Sequence, residues 1–194
     1  MKDFFACFAG CCVQIRSDCP AGHDFLKLLF GDLERQDGDV CGEILVLARC
    51  GDSDYQLLEN KQLIYRGVLG PRMAAPLYDR VIFHLLNRNN QGIALHTGAV
   101  SRDGKTIFVP GRSGAGKSSL ITWLVGNGFS YQTDELVFLP FDDMECGEPF
   151  VRPISLKQGS LEAVSACFKA VREGWVEDAF GAIVPFRLLN EQLV

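Results

Sequence analysis

Apolar and polar positions change period several times along the chain, and each change marks an element. Val13 and Ile15 alternate with polar neighbours, as on a half-buried strand, until Ser17-Asp18-Cys19-Pro20 breaks the pattern. Phe25, Leu28 and Leu29 then recur at helical spacing behind Asp24, which predicts one short amphipathic helix. Residues 43–49, 54–58 and 62–65 read as three strands, with turns at Gly51-Asp52-Ser53 and Glu59-Asn60-Lys61. Gly70-Pro71 closes this block. From Ala74 to Asn87 the positions Leu77, Val81, Ile82, Leu85 and Leu86 mark one helix face, which Asn89-Asn90-Gln91-Gly92 ends.

The second half reads more sharply. Residues 93–100 predict a strand, Ser101-Arg102-Asp103-Gly104 a tight turn, and residues 106–109 a second strand. A glycine-rich stretch follows, then an apolar helical run over 120–125, with Gly128 placed as the left-handed residue that stops it. Residues 129–133 return as a strand ending in Asp134-Glu135, and 136–139 continue extended. The expected organisation is a small α+β domain over 1–70, a linking helix over 71–92, and an α/β domain over 93–194.

Composition narrows the classes. The 194 residues suit one domain or one and a half, at roughly 150 residues each. Hydrophobic content of 47% with 22% charged residues is ordinary for a folded chain and excludes general disorder. The formal charge is −5, with 10 basic and 12 acidic residues up to Leu95 and 9 and 12 from His96 onward. Neither half is a basic arm, which argues against nucleic acid as the main partner. No apolar run approaches the roughly 20 residues of a membrane-spanning helix. The eight cysteines form no C-x-x-C pair, so zinc-ribbon and thioredoxin motifs are absent, and their irregular spacing reads as free thiols in a reducing cytosol. Phe8-Ala9-Gly10-Cys11 is similar to a lipoprotein cleavage box. Lys2 is cancelled by Asp3, however, and too few residues precede Cys11 for a secretory signal, so the expected location is cytoplasmic.

Residues 111–118, Gly-Arg-Ser-Gly-Ala-Gly-Lys-Ser, match the Walker A pattern G-x-x-x-x-G-K-[ST] between a predicted strand and a predicted helix. Gly111, Gly114 and Gly116 permit a backbone that turns successive N–H groups inward onto phosphate oxygens. The helix start adds the positive end of its dipole. Lys117 supplies charge to the β- and γ-phosphates, and the Ser118 hydroxyl can ligate Mg²⁺. The expected nucleotide-binding residues are Gly111, Arg112, Ser113, Gly114, Ala115, Gly116, Lys117, Ser118 and Ser119. A guanine-specific Asn-Lys-x-Asp is missing downstream, since the only Asn-Lys is Asn60-Lys61. Residues 154–158 do not form the signature of a transporter-type ATPase.

Fifteen residues separate Ser118 from Asp134, enough for one helix and one short strand. An adjacent strand therefore brings Asp134 and Glu135 back to the loop, where two carboxylates can hold Mg²⁺ and accept a proton from an attacking hydroxyl. Smaller candidates are weighed against ordinary surface roles. Arg112 reads as a solvated loop arginine, and Arg152 and Lys157 as surface bases or ligands of phosphate or acceptor in equal measure. Asp142-Asp143 reads as an acidic turn, and Trp123 as a core residue of the helix after the loop.

Leu95-His96-Thr97-Gly98-Ala99-Val100, the loop 111–118, and Tyr131-Gln132-Thr133-Asp134-Glu135 together resemble the catalytic domain of HPr kinase/phosphorylase. They resemble still more the HPr-kinase-like serine kinases found outside sugar regulation. The resemblance covers about residues 93–160, with Arg152-Pro153-Ile154-Ser155-Leu156-Lys157 similar to the segment that follows. It implies an α/β P-loop kinase domain of the HPr kinase C-terminal and phosphoenolpyruvate carboxykinase-like type, behind the small α+β domain. It further implies ATP- and Mg²⁺-dependent transfer of the γ-phosphate to a serine hydroxyl on a protein or peptide. Asp134 matches the aspartate that activates the serine, His96 the histidine near the reacting phosphate, and Lys117 the loop lysine. Ser118, Asp134 and Glu135 match the metal side, with Glu135 standing where the family usually has a second Asp. The Glu-x-Arg-Gly-x-Gly signature of true HPr kinase/phosphorylases is missing, and relatives continue beyond the position of Val194, so a truncated form and an acceptor other than HPr are expected. A homo-oligomer is compatible with the resemblance. Two other readings stay open: a nucleotide-binding regulatory module, and a small-molecule kinase.

Overall fold

The computed structural model describes residues 1–35, 40, 45–87, 89–167 and 174–190. It is a mixed α/β chain with several sheets and few helices, in two compact units spanning Met1–Gln91 and Gly92–Val194.

The first unit holds a five-stranded sheet in the order β1 (Lys2–Phe8), β2 (Cys11–Ser17), β3 (Leu45–Arg49), β4 (Tyr55–Glu59) and β5 (Gln62–Gly67). Neighbours are antiparallel except β2 and β3, which run parallel. The first two positions of the strand expected over 43–49 lie outside the described residues. The apolar run from Phe4 to Val13 is a hairpin whose turn is Ala9-Gly10, both at positive φ. Cys7 and Cys12 face each other across this hairpin and form a disulfide, which corrects the expectation that all eight thiols are free. Two cysteines five apart look unrelated by motif, yet a two-residue turn makes them direct cross-strand partners. Cys11, Cys19, Cys50 and Cys146 are not in disulfides. No helix among the described residues is long and apolar enough to cross a membrane.

Helix α1 (Pro20–Phe30) starts earlier than its apolar spacing suggested, because Pro20 sits in its first turn and Cys19 caps it. Helix α2 (Pro71–Asn87), read from the sequence as a link, packs within the first unit against β1, β2 and β5. Its buried Tyr78 hydroxyl donates to the Leu29 carbonyl, and its ring meets Phe30 edge-on. Glu59, at the end of β4, accepts hydrogen bonds from Arg80 at 2.7 and 2.9 Å and pairs with His84, both on α2. Burial works to raise the Glu59 pKa, but the hydrogen bonds from His84 and Arg80 outweigh it, leaving the carboxyl below its ordinary 4.5. A lowered folded value means that the unfolded chain takes up the proton first as pH falls. The contribution of Glu59 to stability is therefore complete above pH 4.5 and lost as pH drops through the lowered value. Urea denaturation at a series of pH values checks this. Wild type should lose stability below about pH 4.5 more steeply than Glu59→Gln, and equal slopes would discard the assignment.

The second unit is built on β6 (Gly92–Arg102). Strand β7 (Lys105–Pro110) pairs antiparallel with its 97–102 half. Along the opposite edge run β8 (Ser130–Thr133) and β9 (Leu136–Pro140), both antiparallel to β6, with β10 (Glu148–Pro149) beyond β9. Asp134 and Glu135 form a two-residue bend between β8 and β9, across which the register against β6 is kept; the β-bulge of this edge lies one step earlier, at Gln132. A three-stranded sheet follows in the order β11 (Ile154–Lys157), β13 (Gly181–Val184), β12 (Val176–Asp178).

Helix α3 (Lys117–Gly126) buries Ile121 and Val125 in a core with Val100, Ile154, Leu156, Ala182 and Val184. Helices α4 (Gln158–Cys167) and α5 (Arg187–Asn190) add Leu161, Val164 and Leu189. Gly98 lets α3 come close to β6, since a Cβ there would lie 2.8 Å from the Ile121 side chain. Trp123 is 46% exposed rather than in the core, because Ile121 and Val125 occupy the inward arc and position 123 falls about 200° round from 121. Gly128 stops the helix at positive φ, as its place in the sequence suggested.

Candidate functional site

The glycine-rich loop leaves the end of β7 at Pro110 and enters α3 at Lys117. Gly114 and Gly116 have φ of +83° and +87°, a region that other L-residues resist. Gly116 serves as the N-cap, and the first helical bond runs from Leu120 N–H to the Gly116 carbonyl. The N–H groups of Lys117, Ser118 and Ser119 thus have no intrahelical acceptor. Lys117 Nζ folds back onto the Gly111 carbonyl at 2.7 Å, and Lys157 Nζ reaches Ser113 Oγ at 3.4 Å. Both ammonium groups rest on neutral oxygens. Arg112, Ser113 and Ala115 are exposed along the loop, and Ser119 is half-buried.

The bend between β8 and β9 brings two carboxylates to this loop in different environments. Asp134 has a fully enclosed side chain. Its Oδ2 accepts from the Ser118 hydroxyl and from Ser155 N–H, each at 3.2 Å. Its Oδ1 faces the Tyr131 hydroxyl and Arg152 Nη2, again at 3.2 Å. Tyr131 shares its single proton with the Arg152 carbonyl at 2.8 Å. Glu135 is more open, with 26% of its side chain exposed. Arg152 Nη2 donates to its Oε2 at 2.6 Å, while its Oε1 lies 3.4 Å from Nδ1 of the exposed His96. Thr133 shapes the bend, donating to the Phe150 carbonyl and accepting from the N–H groups of Glu135 and Leu136.

Ser118, Asp134, Glu135 and His96 therefore meet as the sequence anticipated, with Lys117 on the same loop. Arg152 does not stand on the surface. It is buried between the two carboxylates, with Nη1 donating to Ser155 Oγ at 2.7 Å. Sequence reasoning weighed Arg152 as a surface base or a ligand of phosphate or acceptor and did not single out Ser155, because nothing in their local pattern announces a carboxylate 17 or 21 residues away. The lone hint was an arginine-proline pair entering a strand.

Among the described residues no three His, Cys, Asp or Glu side chains converge as a protein-built metal cage. The Ser118–Asp134 pair suits Mg²⁺, which takes few protein ligands and completes its shell with water and phosphate oxygens. With its proton held by Asp134, Ser118 Oγ keeps its lone pairs for a cation. No protein-family model, curated protein or solved structure matches the chain.

Proposed function

We propose that this chain is an ATP- and Mg²⁺-dependent phosphotransferase with a P-loop, HPr-kinase-like domain, transferring the γ-phosphoryl group to a serine hydroxyl on a protein or peptide. The observation that carries the reading is the 3.2 Å contact between Ser118, at the start of α3, and Asp134, in the β8–β9 bend, beside a complete Gly-x-x-x-x-Gly-Lys-Ser loop. The choice of a serine acceptor follows from the resemblance to HPr-kinase-like enzymes.

Each side chain then has a part. The loop N–H groups and Lys117 hold the phosphates, and Ser118, oriented by Asp134, offers an oxygen to the metal. When bound, Mg²⁺ neutralises charge on the β- and γ-phosphates. In the transfer, the acceptor oxygen bonds to the γ-phosphorus as the bond from that phosphorus to the β–γ bridging oxygen breaks, its electron pair staying on ADP. The hydroxyl proton goes to a carboxylate within hydrogen-bond reach. Asp134 was the expected acceptor from the resemblance. Its enclosed side chain and occupied oxygens suit orienting Ser118, whereas Glu135 Oε1 is the carboxylate oxygen with an opening.

Calorimetry with MgATP tests the reading. Wild type should bind, and the melting temperature should rise with nucleotide concentration, as it must when a ligand binds only the native state. Lys117→Ala should abolish turnover and weaken binding while leaving the ligand-free melting curve unchanged. A folded wild-type chain that binds no MgATP would remove the proposal. Binding without phosphate transfer to any acceptor would leave a regulatory module in its place.

A further inference from the structure

Strand β11 forms a third wall of this site, contributed by a part of the chain that the glycine loop and the β8–β9 bend do not include. Its apolar residues Ile154 and Leu156 point into the core, while Ser155 and Lys157 alternate to the other side. β13 pairs with one edge of β11 and holds it in register, with Ser155 opposite Ile183 and Lys157 opposite Gly181. The other edge is turned to the site, since Ser155 N–H donates to Asp134 Oδ2, the same oxygen that receives the Ser118 hydroxyl. N–H groups two residues apart on an antiparallel strand share one sense, so the N–H of Lys157 points the same way as that of Ser155. The Lys157 ammonium crosses to the loop and rests on Ser113 Oγ, a neutral acceptor.

We infer that Lys157 is a second phosphate-binding lysine, directed at the terminal phosphate of the nucleoside triphosphate. The inference rests on the nucleotide reading above and adds which phosphate the residue serves. Ser118 and Asp134 would hold the metal ion, which would neutralise charge on the β- and γ-phosphates. β11 is tied to that side through Asp134, and Lys157 lies two residues, about 7 Å, further along the same face. An exposed lysine resting on one serine hydroxyl adds little to the ligand-free fold, yet is well placed to meet the dianionic terminal phosphate. It brings two donors there, an ammonium beside Ser113 and a backbone N–H, while the Lys117 ammonium rests on the Gly111 and Arg112 carbonyls.

The test compares MgATP with MgADP by calorimetry on the full chain, for wild type, Lys157→Met and Lys157→Arg. Lys157→Met should lose at least tenfold in affinity for MgATP and less than threefold for MgADP, with Lys157→Arg intermediate. The ligand-free melting temperature of Lys157→Met should match wild type. Equal losses for both nucleotides would assign Lys157 to the inner phosphates or to the loop's shape and overturn the inference. So would an unchanged MgATP affinity. If Lys157→Met and wild type bind MgADP alike, the nucleotide reading stands however the MgATP comparison falls. If wild type binds neither nucleotide, that reading fails and this one with it.

Discussion

Arg152→Met should destabilise the second unit by about 3–5 kcal/mol, the usual cost of stripping one partner from a buried ion pair. Arg152 is 5% exposed and spans both carboxylates, at 3.2 Å from Asp134 and 2.6 Å from Glu135. Methionine fills similar volume but offers no charge and no donor. Two adjacent carboxylates would then be left unpaired in a part-buried bend, and Ser155 Oγ would lose its donor. Against a typical total stability of about 5–15 kcal/mol, this is a large fraction. A drop in melting temperature of roughly 10–20 °C is expected for a chain of this size. Arg152→Lys should fall between, since an ammonium keeps the charge but cannot fork between two partners. Adding Glu135→Gln to Arg152→Met removes one of the stranded charges and should recover part of the loss. A double-mutant cycle with no coupling, or a methionine variant melting within a degree or two of wild type, would show that the ion-pair cluster does not hold the bend.

Glu135→Gln should lower the turnover of phosphate transfer by about 10²–10⁴-fold, or roughly 3–5 kcal/mol of barrier, the range for a positioned proton acceptor. Glutamine keeps the length and can still accept from Arg152 through its carbonyl, so the fold and MgATP affinity should change little. Asp134→Asn is expected to behave differently. Every neighbour of that enclosed carboxylate is a donor, so an amide nitrogen there must face Ser118 and Ser155 on one side or Tyr131 and Arg152 on the other. Its loss should appear first in stability and in MgATP affinity. Steady-state kinetics and calorimetry on the two variants separate the roles. Turnover preserved in Glu135→Gln and lost in Asp134→Asn with binding intact would return the proton to Asp134.

Much of the architecture was legible because local chemistry decides it. The strand, glycine loop and helix over 105–126 follow from residues whose conformational limits act within a few positions. The Glu59-Asn60-Lys61 turn is of the same kind, with Asn60 and Lys61 both at positive φ between paired strands. Strand β1 was not legible. Phe4, Ala6 and Phe8 point inward, but Phe5 and Cys7 on the other face are themselves half-buried, so the period of two is hidden in a continuous apolar run.

The sequence by itself determined the loop, the spacing that returns Asp134 and Glu135 to it, and the helix that carries Lys117 and Ser118. Tertiary structure alone decided how those two adjacent carboxylates differ. Asp134 and Glu135 share charge and neighbourhood in the chain, yet the bend between β8 and β9 turns one inward onto four donors and leaves the other partly open beside His96. It also decided that Arg152 is buried, that Lys157 reaches Ser113 across 44 positions, and that Trp123 faces outward. The physical reason is common to all of these. Hydrogen-bond satisfaction and charge pairing in a buried site depend on which distant segments arrive there, and residue type and spacing along the chain do not encode that arrival.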